Sequence, residues 1–303
     1  MSVLSVPQIS KNYGAVKALN NVSFEVPQGS VYGILGPNGS GKTTLLGIVM
    51  DVLKASGGEF RWNGQPGDAD QRKKIGTLLE TPNFYSYLSA EKNLEIAACI
   101  KERGLDDIDR VLQMVNLHQR RTSKFNTYSL GMKQRLAIAS ALLGDPDILV
   151  FDEPTNGLDP AGIAEIRELI IELNRQGKTI IMASHILDEV ERVCTHVTII
   201  QKGVLKTSGT VQEVLSASGE TDVLVEIAAD DATGLETIIR QFPGVKDVKV
   251  FGHVLSVLCT ENVSAGQINK YCFEKGVVLT QLNMKKKNLE TRFLEITGKQ
   301  SDR

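Results

Sequence analysis

Residues 36–44 read Gly-Pro-Asn-Gly-Ser-Gly-Lys-Thr-Thr, between the apolar run VYGIL and the helix-forming stretch TTLLGIVM. This G-x-x-x-x-G-K-[ST] spacing in a strand–turn–helix context constrains the chain more than any other segment. Gly36, Gly39 and Gly41 let the backbone curl so that successive N–H groups converge on one anion. The helix start adds the positive end of its dipole. Lys42 can bring a full charge to β- and γ-phosphate oxygens, and the Thr43 hydroxyl can ligate Mg²⁺.

Around that loop, short apolar runs alternate with helical ones. SVYGILG, DILVFDE and TIIMASH read as buried strands, and Gly177 in NRQGK stops the helix before the last of them. HVTIIQKGVLKTSGT predicts a hairpin turning at Lys202-Gly203. Buried strands alternating with helices predict an α/β fold with a mostly parallel sheet covered on both faces. VKALNNVSFEVPQG predicts an antiparallel strand beside that core, and residues 89–118 and 120–143 predict a largely helical insertion. The small, polar SASGET at 216–221 marks a boundary between a domain over 1–217 and a second over 222–303. The second reads β-α-β-β-α-β, which suits a small ferredoxin-like α+β domain. Asn288 is placed to cap a final helix with Leu289, Phe293 and Ile296 on one face.

Composition narrows the function classes. The 303 residues are 42% hydrophobic and 23% charged, as in soluble globular proteins of about two domains. The net charge of −2 implies no broad basic field, so no nucleic-acid partner is expected. No apolar run approaches the roughly 20 residues that cross a bilayer. The stretch MSVLSVPQISKN lacks the basic start and apolar core of a secretory leader. Cys99, Cys194, Cys259 and Cys272 share no CxxC spacing and are expected as reduced core thiols of a cytosolic protein. His118, His196 and His253 have no chemical context and are expected in packing or surface roles.

The Mg²⁺ of a bound triphosphate needs an acid on a neighbouring strand, and Asp152 at the end of ILVFD is placed for it. Alternation along an extended chain turns Glu153 to the opposite face, where it can orient a water.

Together these segments resemble the ATP-binding cassette (ABC) ATPases, the motor subunits of ABC transporters, over residues 1 to about 215 and in the family's motif order. GPNGSGKT is similar to Walker A, which implies nucleotide contacts from Gly36, Pro37, Asn38, Gly39, Ser40, Gly41, Lys42, Thr43 and Thr44. ILVFDE is similar to Walker B, which implies Asp152 and Thr43 at the metal and Glu153 as the group that polarises water. Ser184-His185 resembles the switch, so His185 joins Glu153 and Lys42 as a catalytic residue. NGLD resembles the D-loop, with Asp159 as its acid. KNYGAVKAL resembles the A-loop, with Tyr13 stacked on adenine. YSLGMKQR stands where the family signature belongs, and by resemblance Ser129, Gly131 and Met132 act in trans on the ATP of a second copy. ATP and Mg²⁺ are thus the implied cofactors. A homodimer closing on ATP and a separate polytopic membrane permease are the implied partners. The implied location is the inner face of the cell membrane, reached through that permease.

Two departures point to a subfamily. Leu130 and Met132 replace the glycine and glutamine usual in the signature, a pattern that resembles drug, antibiotic and polysaccharide exporters. In IGTLLETPNFYSYLSAEKNL, Glu80 stands where a glutamine normally touches the metal and the membrane subunit. A carboxylate ligates metal well but repels nearby phosphate. This variant resembles bacitracin-resistance and lantibiotic-immunity cassettes, and it implies that Glu80 is a metal contact and the coupling residue. Phe84, Tyr85 and Tyr87 suit either a docking groove for a permease helix or local packing. The KKKN run at 285–288 reads as solvated or as a contact to anionic lipid. The C-terminal domain resembles the extra domain of exporter cassettes, with regulation or dimer support as its roles. A soluble ABC ATPase acting on ribosomes or DNA is the competing reading, against which stand the single cassette and the absence of a heptad run.

Overall fold

A computed structural model describes residues 1–79, 83–216, 223–260, 262–285 and 288–298. The chain divides into two units, Met1–Val211 and Gln212–Arg303.

The first unit opens with two long strands, β1 (Ser2–Tyr13) and β2 (Val16–Pro27), followed by β3 (Val31–Leu35) and α1 (Lys42–Val49). Next come β4 (Arg61–Trp62), β5 (Gln65–Pro66), α2 (Ala69–Lys74) and β6 (Ile75–Leu78). A helical stretch contains α3 (Ala90–Lys101), α4 (Ile108–Met114) and α5 (Leu130–Leu142). The remainder is β7 (Ile148–Asp152), α6 (Pro160–Arg175), β8 (Thr179–Ser184), α7 (Leu187–Val193), β9 (His196–Gln201) and β10 (Val204–Thr210).

Every residue of β3, β7 and β8 is buried, as expected of central parallel strands with helices on both faces. They belong to a six-stranded sheet of order β10-β9-β3-β8-β7-β6, parallel except for β10 at the edge. The β9–β10 hairpin turns through Lys202 at φ 50° and Gly203 at φ 74°, the paired left-handed residues expected there. A second, antiparallel sheet of order β2-β1-β4-β5 packs its apolar side toward α1 and the main sheet, sharing one core with Leu45, Ile48, Ile34 and Val150.

Side-chain caps fix where helices begin. Ser89 accepts from Lys92 N–H before α3, Ser129 from Met132 N–H before α5, and Asp159 from Gly162 N–H before α6, where Pro160 takes the first helical position. On α6 the buried Ile166, Ile170 and Leu173 recur at helical spacing, each contributing about 1.5–3 kcal/mol of burial. Parallel register then aligns strand ends. Leu35 pairs with Ser184 and Asp152 with Ala183, so the segments beginning at Gly36, Glu153 and His185 all leave the sheet at its carboxyl edge.

The second unit contains α8 (Val211–Ser216), β11 (Val223–Ala229), α9 (Ala232–Ile239), β12 (Val245–Phe251), β13 (Val254–Cys259), α10 (Ala265–Glu274), β14 (Leu279–Lys285) and α11 (Leu289–Thr297). The antiparallel order β12-β13-β11-β14 is the ferredoxin-like arrangement. Leu235 and Ile239 of α9 and Ile268 and Cys272 of α10 close its core over Val225, Ile227, Leu255 and Val257. Asn288 caps α11 by accepting from Thr291 N–H.

Several expectations change. Within the segment 120–143, expected to be largely helical, the regular helix starts only at Leu130. Before it, His118–Arg120 and Phe125–Thr127 form tight three-residue turns, because the Ser129 cap resets the chain. Cys194, Cys259 and Cys272 are buried, but Cys99 is exposed on the outer side of α3. The two units meet at Val211/Gln212, a few residues before SASGET, and α8 is held by α11: Val214 is buried and its carbonyl accepts from Arg292 Nε at 3.0 Å. Residues 217–222 lie outside the described residues, as do Lys286 and Lys287 of the KKKN run.

Candidate nucleotide site

The turn after β3 has no room for side chains. A Cβ on Gly36 would stand 2.3 Å from the Ile200 carbonyl oxygen, and one on Gly41, at φ 108°, 2.6 Å from that of Ala18. The loop is therefore wedged between β2 and the β9–β10 hairpin, whose Gly203 N–H donates to the Ser40 carbonyl at 3.0 Å. Ser40 is buried, and its hydroxyl has no hydrogen-bond partner among the described residues. The cradle is thus built by surrounding backbone, with a polar atom held ready inside it.

Lys42 opens α1 and is 6% exposed. Its ammonium donates to the Gly36 carbonyl at 2.8 Å and the Pro37 carbonyl at 3.4 Å, and lies 3.5 Å from Glu153 Oε1. The other Glu153 oxygen is 2.8 Å from His185 Nδ1. Lys42 at the start of α1 and His185 just after β8 thus meet around the Glu153 carboxylate. The aim of Glu153 differs in origin from that expected. Its backbone is left-handed, at φ 49°, and its N–H donates to the Ala183 carbonyl at 3.0 Å. A turn out of β7, not simple strand alternation, directs the side chain. For a non-glycine residue that conformation costs about 1–2 kcal/mol.

Thr43, Asp152 and Glu153 line one pocket of about 450 Å³ together with Leu130, Gln134, Asn156 and Gly157. A hydroxyl and a buried carboxylate are hard oxygen donors of the kind Mg²⁺ takes alongside phosphate and water. Among the described residues no group of three or more His, Cys, Asp or Glu could hold a metal alone. The donor set fits an ion that arrives with its nucleotide.

Other expected residues lie further out. Tyr13 ends β1 and is 47% exposed, with Lys11 Nζ 5.0 Å from its ring centroid. Ser129 and Gly131 open α5 and share a pocket of about 340 Å³ with Leu158, Asp159 and Glu165. Asp159 caps α6, and Met132 is half-buried. Phe84 packs edge-on against Phe125 with centroids 5.3 Å apart, whereas Tyr85 and Tyr87 stand exposed, so the aromatic cluster is partly core and partly surface. His118 Nε2 lies 3.6 Å from Asp109 Oδ1 at the surface, His196 stacks on Tyr32, and His253 is exposed. Glu80 lies outside the described residues. Sequence reasoning missed Gln134. The available signal was its place inside the YSLGMKQR segment that resembles the family signature.

Comparison with known proteins adds independent information. Residues 19–156 match the family model described as ABC transporter. The chain is 32% identical over 303 residues to the bacitracin transport ATP-binding protein BcrA of Enterococcus faecalis, covering 98% of this chain and 96% of that one. It is 33% identical over 302 residues to the BcrA of Bacillus licheniformis, covering 98% of each. The lantibiotic transport ATP-binding protein SrtF of Streptococcus pyogenes is 38% identical over 201 residues, 66% of this chain and 88% of the relative. Among solved structures, the ATP-binding subunit of an ABC transporter superposes with a TM-score of 0.66 at 30% identity, covering 72% of this chain and 94% of that one. A dimeric post-hydrolysis cassette, MJ0796 bound to ADP and Pi, gives a TM-score of 0.62 at 28% identity, over 68% and 98%.

Proposed function

This chain belongs to the ABC transporter family, as an ATP-binding subunit and ATPase, and we propose that it powers export of a peptide antibiotic through a separate membrane permease. The observation that carries the motor reading is Glu153 held between Lys42 and His185 at the carboxyl edge of the sheet. The cargo reading is supported by relatives named for bacitracin transport that align along both units.

In this reading the triphosphate displaces the carbonyl groups of Gly36 and Pro37 from Lys42, whose charge passes to the β- and γ-phosphates. Loop N–H groups and the start of α1 hold the remaining oxygens. Glu153 orients a water toward the γ-phosphorus and takes its proton as the new P–O bond forms and the bond to the bridging oxygen breaks, yielding ADP and phosphate. His185 holds the carboxylate in that aim. Thr43 and Asp152 hold Mg²⁺, which supplies charge neutralisation when bound. Tyr13 stacks on the base.

No helix among the described residues is long and apolar enough to cross a membrane. Its relatives named for bacitracin transport support placing the chain at the inner membrane face through a permease, with Glu80 and the exposed Tyr85 and Tyr87 as the coupling surface. Ser129, Gly131 and Met132 complete the site of a second copy, and Asp159 bridges the two. The cassette is the part of the chain before the SASGET segment, residues 1–217 with the first unit at its heart, and residues 222–303, all within the second unit, are an accessory domain.

The test uses cells lacking this chain. Deletion should sensitise them to bacitracin or a lantibiotic, and wild-type but not Glu153→Gln protein should restore resistance. Unchanged sensitivity to every such peptide overturns the cargo reading, and absence of a polytopic protein in a pull-down from native membranes overturns the permease.

A further inference from the structure

Gln134 sits one turn after Leu130 on α5 and is 6% exposed. Its side-chain amide makes no hydrogen bond to another described residue and is not sealed off as a buried unpartnered group, so it opens on the pocket it lines. A primary amide carries two N–H donors and an acceptor oxygen, and here they are free to meet whatever fills the pocket. The other buried residues of α5 are all apolar: Leu136, Ala137, Ile138, Ala139, Ala141 and Leu142. An apolar side chain of equal length would pack there at no polar cost, so packing does not explain an amide at this position.

The pocket wall offers an explanation. Gln134 lines the same pocket as Thr43, Asp152 and Glu153. These groups share one kind of ligand, a hydrated divalent cation carrying phosphate oxygens. A neutral amide suits both halves of it, since its oxygen accepts from metal-bound water and its N–H groups donate to phosphate. A carboxylate here would add a third negative charge beside Asp152 and Glu153, and a lysine would compete with the metal.

We propose that the Gln134 amide contacts the Mg²⁺–triphosphate group bound at its own chain's cradle, which makes α5 a sensor of metal-loaded nucleotide in cis. The inference rests on the nucleotide reading above. It gives α5 two ends with different tasks. Ser129 and Gly131 at its start face outward, while Gln134, one turn in, is tied to the chain's own nucleotide. Gln134 is a positioning residue, so its removal weakens retention of the metal more than binding of the nucleotide.

The full chain can be titrated with a fluorescent N-methylanthraniloyl ATP in EDTA and then with increasing Mg²⁺. Gln134→Met should bind the metal-free nucleotide within two-fold of wild type, while its half-saturating Mg²⁺ concentration rises about five-fold or more, with an unchanged melting temperature. In wild-type protein labelled with ¹⁵N-glutamine, the Gln134 side-chain signal should shift on adding Mg²⁺–nucleotide and not on adding nucleotide in EDTA, which tests the contact without a variant. An unchanged Mg²⁺ midpoint in Gln134→Met, or a silent Gln134 signal, overturns the proposal. If wild-type protein binds no nucleotide under either condition, the nucleotide reading itself has failed, and the two failures are thereby distinguished.

Discussion

His185 Nδ1 lies 2.8 Å from Glu153 Oε2, and the second oxygen of the same carboxylate faces Lys42 Nζ at 3.5 Å. One group therefore answers to two strands besides its own, and its aim is set before any substrate arrives. Such preorganisation is what a water-orienting base requires. Glu153→Gln keeps the shape and removes the base. ATP turnover should fall about 10²- to 10⁴-fold while nucleotide binding persists. On size exclusion with ATP and Mg²⁺ this variant should run as a dimer and the wild type mainly as a monomer. Near-normal turnover in Glu153→Gln would remove the assignment.

Tyr13 is presented rather than packed. Lys11 Nζ sits 5.0 Å from its ring centroid and is itself anchored to the Lys54 carbonyl at 2.6 Å. The adjoining Asn12 N–H donates to Ser56 Oγ, so the end of β1 is pinned to the 54–57 segment. Base–aromatic stacking is worth roughly 1–3 kcal/mol. Tyr13→Ala should raise the equilibrium Kd for ATP about ten-fold with little effect on inorganic triphosphate, and Tyr13→Trp should restore binding. A cation–π contact contributes about 0.5–1 kcal/mol at exposed sites, so Lys11→Met should weaken ATP binding only about two- to four-fold. Equal losses for ATP and triphosphate would show that the ring does not meet the base.

The parts of this site that follow local rules were legible in the sequence. The glycine loop needs tight backbone, Asp152 closes an apolar run, and Lys202-Gly203 carries its own turn chemistry. What was not legible depends on partners distant in sequence. Glu153 takes its left-handed backbone with its N–H on the Ala183 carbonyl of a neighbouring strand, and strand alternation alone cannot foresee that. Gln134 looked like one more polar residue of a signature helix until its place on the wall of the Thr43–Asp152–Glu153 pocket was visible. Cys99 was expected in the core, but it falls on the outer side of α3, beside the exposed Ile100.

Lys101, at the end of α3, gives a pH-dependent prediction. Burial, and then the neighbouring Arg103 charge, push its amine down from 10.5 to about 8, while its Nζ donates to the Ser140 carbonyl. Below pH 8 both the folded and the unfolded chain carry the proton, so the penalty for charging a buried amine is present in full. Between 8 and 10.5 only the unfolded chain binds the proton, and stability from this group rises with pH; above 10.5 the penalty is gone. Lys101→Met should therefore stabilise the chain by about 1–2 kcal/mol at pH 7, after allowing for the lost hydrogen bond. That advantage should shrink steadily from pH 8 to 10.5 in thermal melts of the two proteins. A difference that does not vary with pH would assign the gain to packing instead.

Leu130, the residue that replaces the usual signature glycine, reaches across to the D-loop. A Cβ added at Gly157 would stand 2.8 Å from Leu130 Cδ2, and the reciprocal contact puts Leu158 Cδ2 3.7 Å from a Cβ on Gly131. Arg135 and Glu165 close the same seam with an ion pair at 3.0 Å. The start of α5 and the segment leading to Asp159 are therefore interlocked. Gly157 has φ 74°, so Gly157→Ala carries a backbone cost of about 1–2 kcal/mol and an overpacking cost of about 1–3 kcal/mol against Leu130. Leu130→Ala removes only the second. Urea unfolding of wild type, both single variants and the double variant should give a double-mutant coupling of at least about 1 kcal/mol, with the double variant more stable than the sum of the singles implies. In the same set, Gly157→Ala should slow ATP turnover and Leu130→Ala should restore part of it, because Asp159 is carried by the strained segment. Additivity within about 0.5 kcal/mol would mean that Leu130 and Gly157 do not touch in solution, and the interlock would have to be abandoned.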